Sequence, residues 1–293
     1  LADRLAAHGL KVSCLLTDRL GGAEAIARAL AETGEPVRIY ACGGDGTVHE
    51  AANGIAGYEN AAMTVIPTGT GNDFLKNFGP DAAKFSDPEN LWDGPDFPLD
   101  LIDCNGRYCL TIACSGIDAR IADSVHRYSG LLSGRGSYLL SVAVNFLFKP
   151  IGRRWRVELD GEVLEDDFAL VSMCNGRYYG GGSMPVPQAR MDDGVLETIL
   201  VKNVPKATFA RLFPAYSAGD CWKFPHIARV VTARQVSITA CPGEEDIVTC
   251  LDGESMRSQS VTLRLADRQV NFFGPAGCSP NATAQEARRP ANV

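Results

Sequence analysis

The chain has 293 residues, a formal net charge of −7, and 45% hydrophobic against 22% charged side chains. That length is ample for two domains with sizeable cores. The negative balance excludes a nucleic-acid binder held by phosphate contacts, and it gives no global pull toward anionic lipid.

No apolar run approaches the ~20 residues of a membrane-spanning helix, and the first residues carry no signal-peptide pattern. The expectation is a cytoplasmic protein, with any membrane contact local. In chain order, Leu1 to His8 reads as a helix stopped by Gly9, and Lys11 to Leu16 as a strand. Ala23 to Glu32 is helical, with Ile26, Ala29 and Leu30 on one side and Gly34 as its stop. Val37 to Cys42 is a strand, Gly43-Gly44-Asp45-Gly46-Thr47 a turn, and Val48 opens a helix. Val48, Ala51, Ala52 and Ile55 fall at the spacing of one buried helix face. Met63 to Ile66 is the next strand and Pro67-Thr68-Gly69-Thr70-Gly71 the next turn, with Asn72 and Asp73 capping the helix after it. Strands alternating with short helices predict a parallel, doubly wound α/β sheet over residues 1–97. Such sheets bind ligands beyond the carboxyl ends of their strands, where both turns sit. Glycine turns that open helices point N–H groups at an anion without a Cβ in the way, so the pair reads as a nucleotide cradle. Neither a Walker P-loop nor a G-x-G-x-x-G is present.

Composition shifts over Lys84 to Pro98, and the pattern then becomes β. Asn105-Gly106 and Asp160-Gly161 are hairpin signals between apolar runs. Runs at Phe168–Cys174, Val195–Val201, Val230–Thr232, Val236–Ile238, Val248–Leu251, Val261–Leu265 and Val270–Phe273 continue the pattern. An antiparallel β-sandwich domain over 98–274 is expected, interrupted by one helix at about Gly136 to Phe148. Residues 275–293, small, polar and proline-bearing, read as a disordered tail. The ten cysteines have no metal spacing and lie mostly in apolar runs, as buried reduced thiols do. Asn281-Ala282-Thr283 matches a glycosylation sequon by chance.

Gly43-Gly44-Asp45-Gly46-Thr47 followed by Pro67-x-Gly69-Thr70-x-Asn72-Asp73-Phe74 resembles the signature of the diacylglycerol kinase-like lipid kinases. The resemblance continues through Gly116-Ile117-Asp118-Ala119 and Gly134-x-Gly136-x-x-Leu139. It then runs through Asn175-Gly176, Gly180-Gly181-Gly182, Pro187, Asp192-Asp193-Gly194-Val195-Leu196 and Leu251-Asp252-Gly253-Glu254. The family's first strand, with its asparagine–proline turn, has no counterpart in this sequence. The resemblance implies a kinase that uses ATP and Mg²⁺ and phosphorylates a membrane lipid hydroxyl, diacylglycerol first, with peripheral membrane contact. It implies Glu254 as general base on that hydroxyl, and Asp252 joining Asp45 in a network of Mg²⁺ and water. Gly43, Gly44, Gly46, Thr47, Gly69, Thr70 and Asn72 would form the nucleotide site, with Thr17 a weaker match at its strand end. Asp193, with the carbonyls of Arg190 and Val195, would hold a structural Mg²⁺.

Phosphoryl transfer needs phosphates held, their charge neutralised and the acceptor hydroxyl deprotonated. An aspartate inside a phosphate turn would repel ATP directly, so Asp45 is expected to act through the metal, although an aspartate can also bond its own turn. His49 reads as a solvated first-turn side chain, or else as part of the pocket. His8, His126 and His226 have no partners at metal or triad spacing. Two alternatives stand beside the lipid kinase: an NAD kinase-like enzyme, which shares Gly-Gly-Asp-Gly-Thr, and a non-catalytic lipid-binding regulatory protein. Oligomeric state is open, a homodimer included.

Overall fold

The computed structural model describes residues 2–128 and 135–281. The expectations for Leu1, for Gly134 and for the tail beyond Asn281 fall outside the described residues, as do the side chains of His126, Gly136 and Leu139. The first half contains α1 (Ala2–Ala7), α2 (Gly22–Ala31), β1 (Val37–Gly43), α3 (Asp45–Ile55), β2 (Ala61–Pro67), α4 (Asp73–Lys76) and β3 (Asp96–Leu99). Next come β4 (Ile102–Cys104), β5 (Arg107–Cys109), β6 (Ile112–Gly116), α5 (Ile117–Tyr128), α6 (Arg135–Phe148), β7 (Arg153–Leu159) and β8 (Glu162–Cys174). The rest is β9 (Glu197–Lys202), α7 (Lys206–Ser217), β10 (Ala228–Thr232), β11 (Gln235–Ala240), β12 (Ile247–Leu251), β13 (Glu254–Ser258), β14 (Ser260–Leu265) and β15 (Val270–Phe273).

Two sheets organise these elements. The first has the order β1-β2-β15-β3, with β1, β2 and β15 parallel and β3 antiparallel at one edge. The second is wholly antiparallel and runs β13-β12-β6-β8-β7-β11-β14-β4-β5, with β9 added on β8 and β10 on β9. An α/β domain and an antiparallel β-domain follow, as the strand patterns predict. Both dipeptide hairpins form: Asn105 and Gly106 have φ of 50° and 90°, Asp160 and Gly161 of 45° and 95°. Positive φ at both central residues matches the right-handed twist of the flanking strands.

Several expectations are corrected. Among the described residues Lys11 to Leu16 pairs with no strand, and Leu15 and Leu16 are 53% and 94% exposed; a strand exists through its ladder. The apolar run before Asn105-Gly106 is broken at Asp100 and Leu101, so that β3 joins the first sheet and β4 the second. β15 leaves the sandwich and inserts beside β2, Phe272 facing Met63 in register. The reason is burial: Phe272 and Phe273 are fully enclosed, and Phe272 packs against Phe74, Phe78, Phe85 and Phe97 at centroid distances of 5.1 to 6.0 Å. The first part of the expected tail also packs. Arg177 donates to the Pro280 carbonyl (3.0 Å) and Asn281 to Asp192 (2.6 Å).

Among the described residues the β region holds the α-helices α5 and α7 beside the expected α6. Pro214 inside α7 hid it from a periodicity reading. All ten cysteines are free thiols and six are buried, but Cys14 and Cys42 are exposed rather than buried, Cys42 on β1 at the edge of the first sheet. Among the described residues no helix is long and apolar enough to cross a membrane.

Candidate active site

The two glycine turns interlock. The Gly43 carbonyl, at the end of β1, accepts the N–H groups of Thr68 and Gly69 at 3.0 and 3.2 Å. A Cβ on Gly69 would lie 2.4 Å from the Gly44 Cα, so this approach admits only glycine. Asn72, at φ 50°, ties the second turn by donating to the Gly69 carbonyl at 2.9 Å. The first-turn N–H groups of α3 have no helical carbonyl to bind and begin at this junction.

Asp45 opens α3 and reaches across to α4, the helix after the second turn, instead of bonding its own turn: Oδ1 accepts the Phe74 N–H at 3.1 Å. A Cβ on Gly71 would lie 2.9 Å from Asp45 Oδ2, so the second turn passes directly over the carboxylate. Burial pushes the Asp45 carboxyl above its usual range; the backbone N–H groups of Phe74 and Asp73 oppose that rise.

The facing wall comes from the tight turn between β12 and β13, where Asp252 and Gly253 take φ of 49° and 106°. Glu254 follows as the first residue of β13, and a Cβ on Gly46 would lie 3.7 Å from its Oε1. The glutamate therefore stands over the first turn of α3, one residue along from Asp45. Asp252 is placed differently from expectation. Its side chain is 5% exposed, and each oxygen has two donors. Oδ2 accepts Leu110 N at 2.7 Å and His49 Nδ1 at 3.2 Å. Oδ1 accepts Thr111 N at 2.9 Å and the Thr111 hydroxyl. A carboxylate has about four acceptor positions, and all are used, so Asp252 is a fixed anchor and no open metal ligand. Burial opposes its charge, but the bonds from His49, Thr111 and Leu110 outweigh burial and hold the carboxyl below its usual range.

His49 is correspondingly not solvated; it is 1% exposed. Its Nε2 lies 3.4 Å from Arg107 Nη2. A guanidinium only donates, which makes Nε2 the acceptor and Nδ1–H the donor to Asp252.

These groups line one end of a cavity of about 760 Å³. Gly44, Asp45, Gly46, Gly69, Thr70, Asp73 and Glu254 form that polar end. The other wall is apolar, built by Ile117 and Ile121 of α5, Val142 and Phe146 of α6, and Phe209 and Phe213 of α7. One polar chain interrupts it: Tyr216 and Tyr179 hydroxyls lie 2.6 Å apart, and Tyr179 donates to Asp118 Oδ2 at 2.8 Å. The glycine run closes the seam between the two halves, where Gly181 N–H donates to Asp73 Oδ2 at 2.7 Å and Lys76 pairs with the same carboxylate.

Of the predicted residues, Asp45, Gly44, Gly46, Gly69, Thr70, Asp252 and Glu254 share this cavity. Gly43, Thr47 and Asn72 shape the turns without lining it, Thr47 folding over Gly43. Thr17 packs on Gly22 at the start of α2, away from the cavity. Arg190, Asp193 and Val195 also lie outside it. There Asp193 Oδ1 accepts the Val195 N–H at 3.1 Å and the Arg190 guanidinium lies 4.0 Å from Oδ2, so protein donors engage the carboxylate. Sequence reading misses Tyr179 and the α7 phenylalanines; it gives Asp73 only as a helix cap and His49 in the pocket only as the second of two readings. For Asp73 the signal was present in the Asn72-Asp73 pair; for α7 a Phe209–Phe213 spacing of four was the cue.

Among the described residues no cluster of three or more His, Cys, Asp or Glu side chains has the geometry of a metal site. The donor set at the polar end nevertheless suits Mg²⁺, which takes one or two carboxylates together with phosphate oxygens and water.

Two family models match the chain: the diacylglycerol kinase catalytic domain over residues 1–102, and the YegS C-terminal NAD kinase beta sandwich-like domain over residues 111–274. A protein of Shewanella frigidimarina named "Probable lipid kinase YegS-like" is 29% identical over 246 residues, 82% of this chain and 77% of that protein. One of the same name from Pseudomonas aeruginosa is 27% identical over 244 residues, with the same shares covered. The crystal structure of a diacylglycerol kinase from Bacillus anthracis superposes with a TM-score of 0.63 at 23% identity, covering 89% of this chain and 84% of that one. At that identity the likeness concerns the fold.

Proposed function

The chain belongs to the lipid kinase family that joins a diacylglycerol kinase catalytic domain to a YegS-type β-sandwich domain, and from that premise we propose that it transfers the γ-phosphate of ATP to the hydroxyl of a membrane lipid. Diacylglycerol is the first acceptor, and phosphatidic acid the product. What supports this reading is one juxtaposition: two interlocked glycine turns, with Asp45 and Glu254 over the first of them, at the polar end of a cavity whose other wall is apolar.

In this reading the phosphates of ATP rest on the N–H groups of the two turns. Asp45, with one oxygen committed to Phe74, would hold Mg²⁺ or its waters. The metal supplies neutralisation of phosphate charge when bound. Glu254 takes the proton from the acceptor hydroxyl as it attacks. Asp252, with all its acceptor positions used and His49 bonded to it, fixes Leu110 and Thr111, and so the wall against which the lipid lies. The acyl chains extend between α5, α6 and α7. ATP and a membrane acceptor together imply a cytoplasmic enzyme in peripheral contact with the bilayer.

The test is a radiolabelled-ATP assay across a lipid extract, with the product identified by mass. Glu254→Gln and Asp45→Asn should each lower kcat by roughly 10²–10⁴-fold while the protein stays folded. Turnover of NAD with no turnover of lipid would replace this reading by the NAD kinase one. Binding of lipid without turnover of any acceptor would leave a regulatory protein.

A further inference from the structure

Cysteine is a common small residue of protein cores, and a buried thiol by itself says nothing of chemistry. Cys114 and Cys250 are set apart by their register. β6 and β12 run antiparallel with Cys114 directly opposite Cys250. Among the described residues no other two cysteines face each other across a ladder. Opposite residues share one face of the sheet, with Cα atoms about 4.5 or about 5.5 Å apart, inside the ~4.4–6.8 Å that a disulfide spans. The two residues are only 2% and 6% exposed, yet both line the cavity. Asp118, at the start of α5, lines it beside them. Its buried carboxylate counts the Tyr179 hydroxyl, the Ala119 N–H and the Cys114 thiol among its partners. Cys250, burial, Asp118 and Cys109 all push the Cys114 thiol up, so it stays protonated and needs a base beside it to react. Asp118 is such a base.

We propose that Cys114 and Cys250 form a modification site, a dithiol that an apolar organic hydroperoxide held in the cavity oxidises to a cross-strand disulfide. The Cys114 sulfur attacks the terminal peroxide oxygen while Asp118 takes the thiol proton. The O–O bond breaks, the alkoxide leaves as the alcohol with that proton, and Cys114 becomes a sulfenic acid. The Cys250 sulfur then attacks the Cys114 sulfur. The S–S bond forms, the S–O bond breaks, and the hydroxyl leaves as water with the Cys250 proton. In sum the two thiols give up two electrons and two protons, and the hydroperoxide becomes an alcohol and water. The wall built by Ile117, Ile121, Val142 and Phe146 selects the oxidant, since it holds an apolar peroxide beside sulfurs that bulk water barely reaches. The disulfide joins β12, two residues before Asp252, to β6, two residues before Gly116. It also takes from Asp118 the thiol partner it had, so the wall around the acceptor changes. The site rests on two paired strands and not on the lipid kinase reading; only its effect on lipid turnover does.

The experiment treats the reduced full chain with cumene hydroperoxide or with hydrogen peroxide at equal concentration. Remaining thiols are then alkylated, and the linked peptides are mapped by mass. Wild type should yield a peptide pair joined through Cys114 and Cys250, lighter by two hydrogens than the reduced pair. Cumene hydroperoxide should form it roughly tenfold faster than hydrogen peroxide, the gain from placing its ring in the apolar cavity. Cys250→Ala should halt the reaction at the Cys114 sulfenic acid, trapped by dimedone, and Cys114→Ala should leave Cys250 untrapped. If neither variant folds, the wild-type map alone decides. Oxidation should raise KM for a short-chain, water-dispersed diacylglycerol, and dithiothreitol should restore it. No Cys114–Cys250 link in folded wild type overturns the proposal. So does a link formed equally fast by both peroxides, since the cavity would then select nothing. If the link forms while the reduced chain phosphorylates no lipid, the kinase reading fails and the dithiol site stands.

Discussion

Two aspartates in one cavity carry opposite electrostatic burdens, and this separates their mutants. Asp252 is charged because four donors demand it; its folded pKa lies below the ~3.9 of an unfolded aspartate. Its contribution is therefore complete above about pH 4 and is lost as pH falls through the folded value. Asp252→Ala leaves the buried Leu110 and Thr111 N–H groups unpaired and should cost about 3 kcal/mol or more at pH 7. In denaturant titrations that difference should shrink on acidification below about pH 4. Equal stability of mutant and wild type at pH 7 would show that the four bonds do not hold it. Asp45 is the converse. Its folded pKa is raised by burial, so the charged form is disfavoured by the fold above that value and the penalty is absent below the unfolded one. Asp45→Asn should raise the melting temperature at pH 7, with the gain fading toward about pH 4, while turnover collapses. A stabilised, inactive variant is the signature of a charge kept for chemistry.

The glycine turns act as elements only in pairs. Nothing in Gly-Gly-Asp-Gly-Thr alone states that Gly69 must lie against it, yet the two backbones meet so closely that a methyl group has no room. Gly69→Ala should part the turns and weaken binding of an ATP analogue by at least tenfold by calorimetry, the β-domain remaining folded. Unchanged nucleotide affinity would place the phosphates elsewhere. Gly116 ends β6 at φ 126°, where a Cβ would lie 2.4 Å from the Ala169 carbonyl. Gly116→Ala should destabilise by more than about 1 kcal/mol through backbone strain alone. It sits at the entry to α5, whose Ile117, Asp118 and Ile121 line the cavity, so the strain should also appear as a higher KM for lipid.

At the scale of the whole molecule the halves are not consecutive beads. The chain leaves the first sheet after β3, completes the antiparallel sheet, and returns to give β15 to the centre of the first. A chain ending at Asp267 keeps every catalytic candidate but lacks Phe272 and Phe273, which are wholly enclosed in the first core. It should lose nucleotide binding and expose the first half to proteolysis, whereas a simple two-bead protein would survive the cut. The seam is also bridged from the glycine run to Asp73. Because both domains contribute to one cavity, ligand binding should protect that seam from hydrogen exchange.

The turns, the hairpins and most of the apolar runs that become β-region strands were legible in the residues because each depends on local chemistry. Asn105-Gly106 and Asp160-Gly161 need positive φ, and the β runs announce burial through their own composition. Glu254 and Asp45 could be named as partners only through the resemblance, 209 positions apart, and their meeting over Gly46 is a property of the packed chain. His49 shows the limit most clearly: a polar residue in the first turn of a helix reads as solvated, and only Asp252 and Arg107, brought from distant strands, bury it. β15 shows the same for whole elements, since an apolar run does not state which sheet will enclose it. Local backbone preference determined the pieces; long-range burial and hydrogen bonding, which have no periodicity to read, decided which pieces share a site.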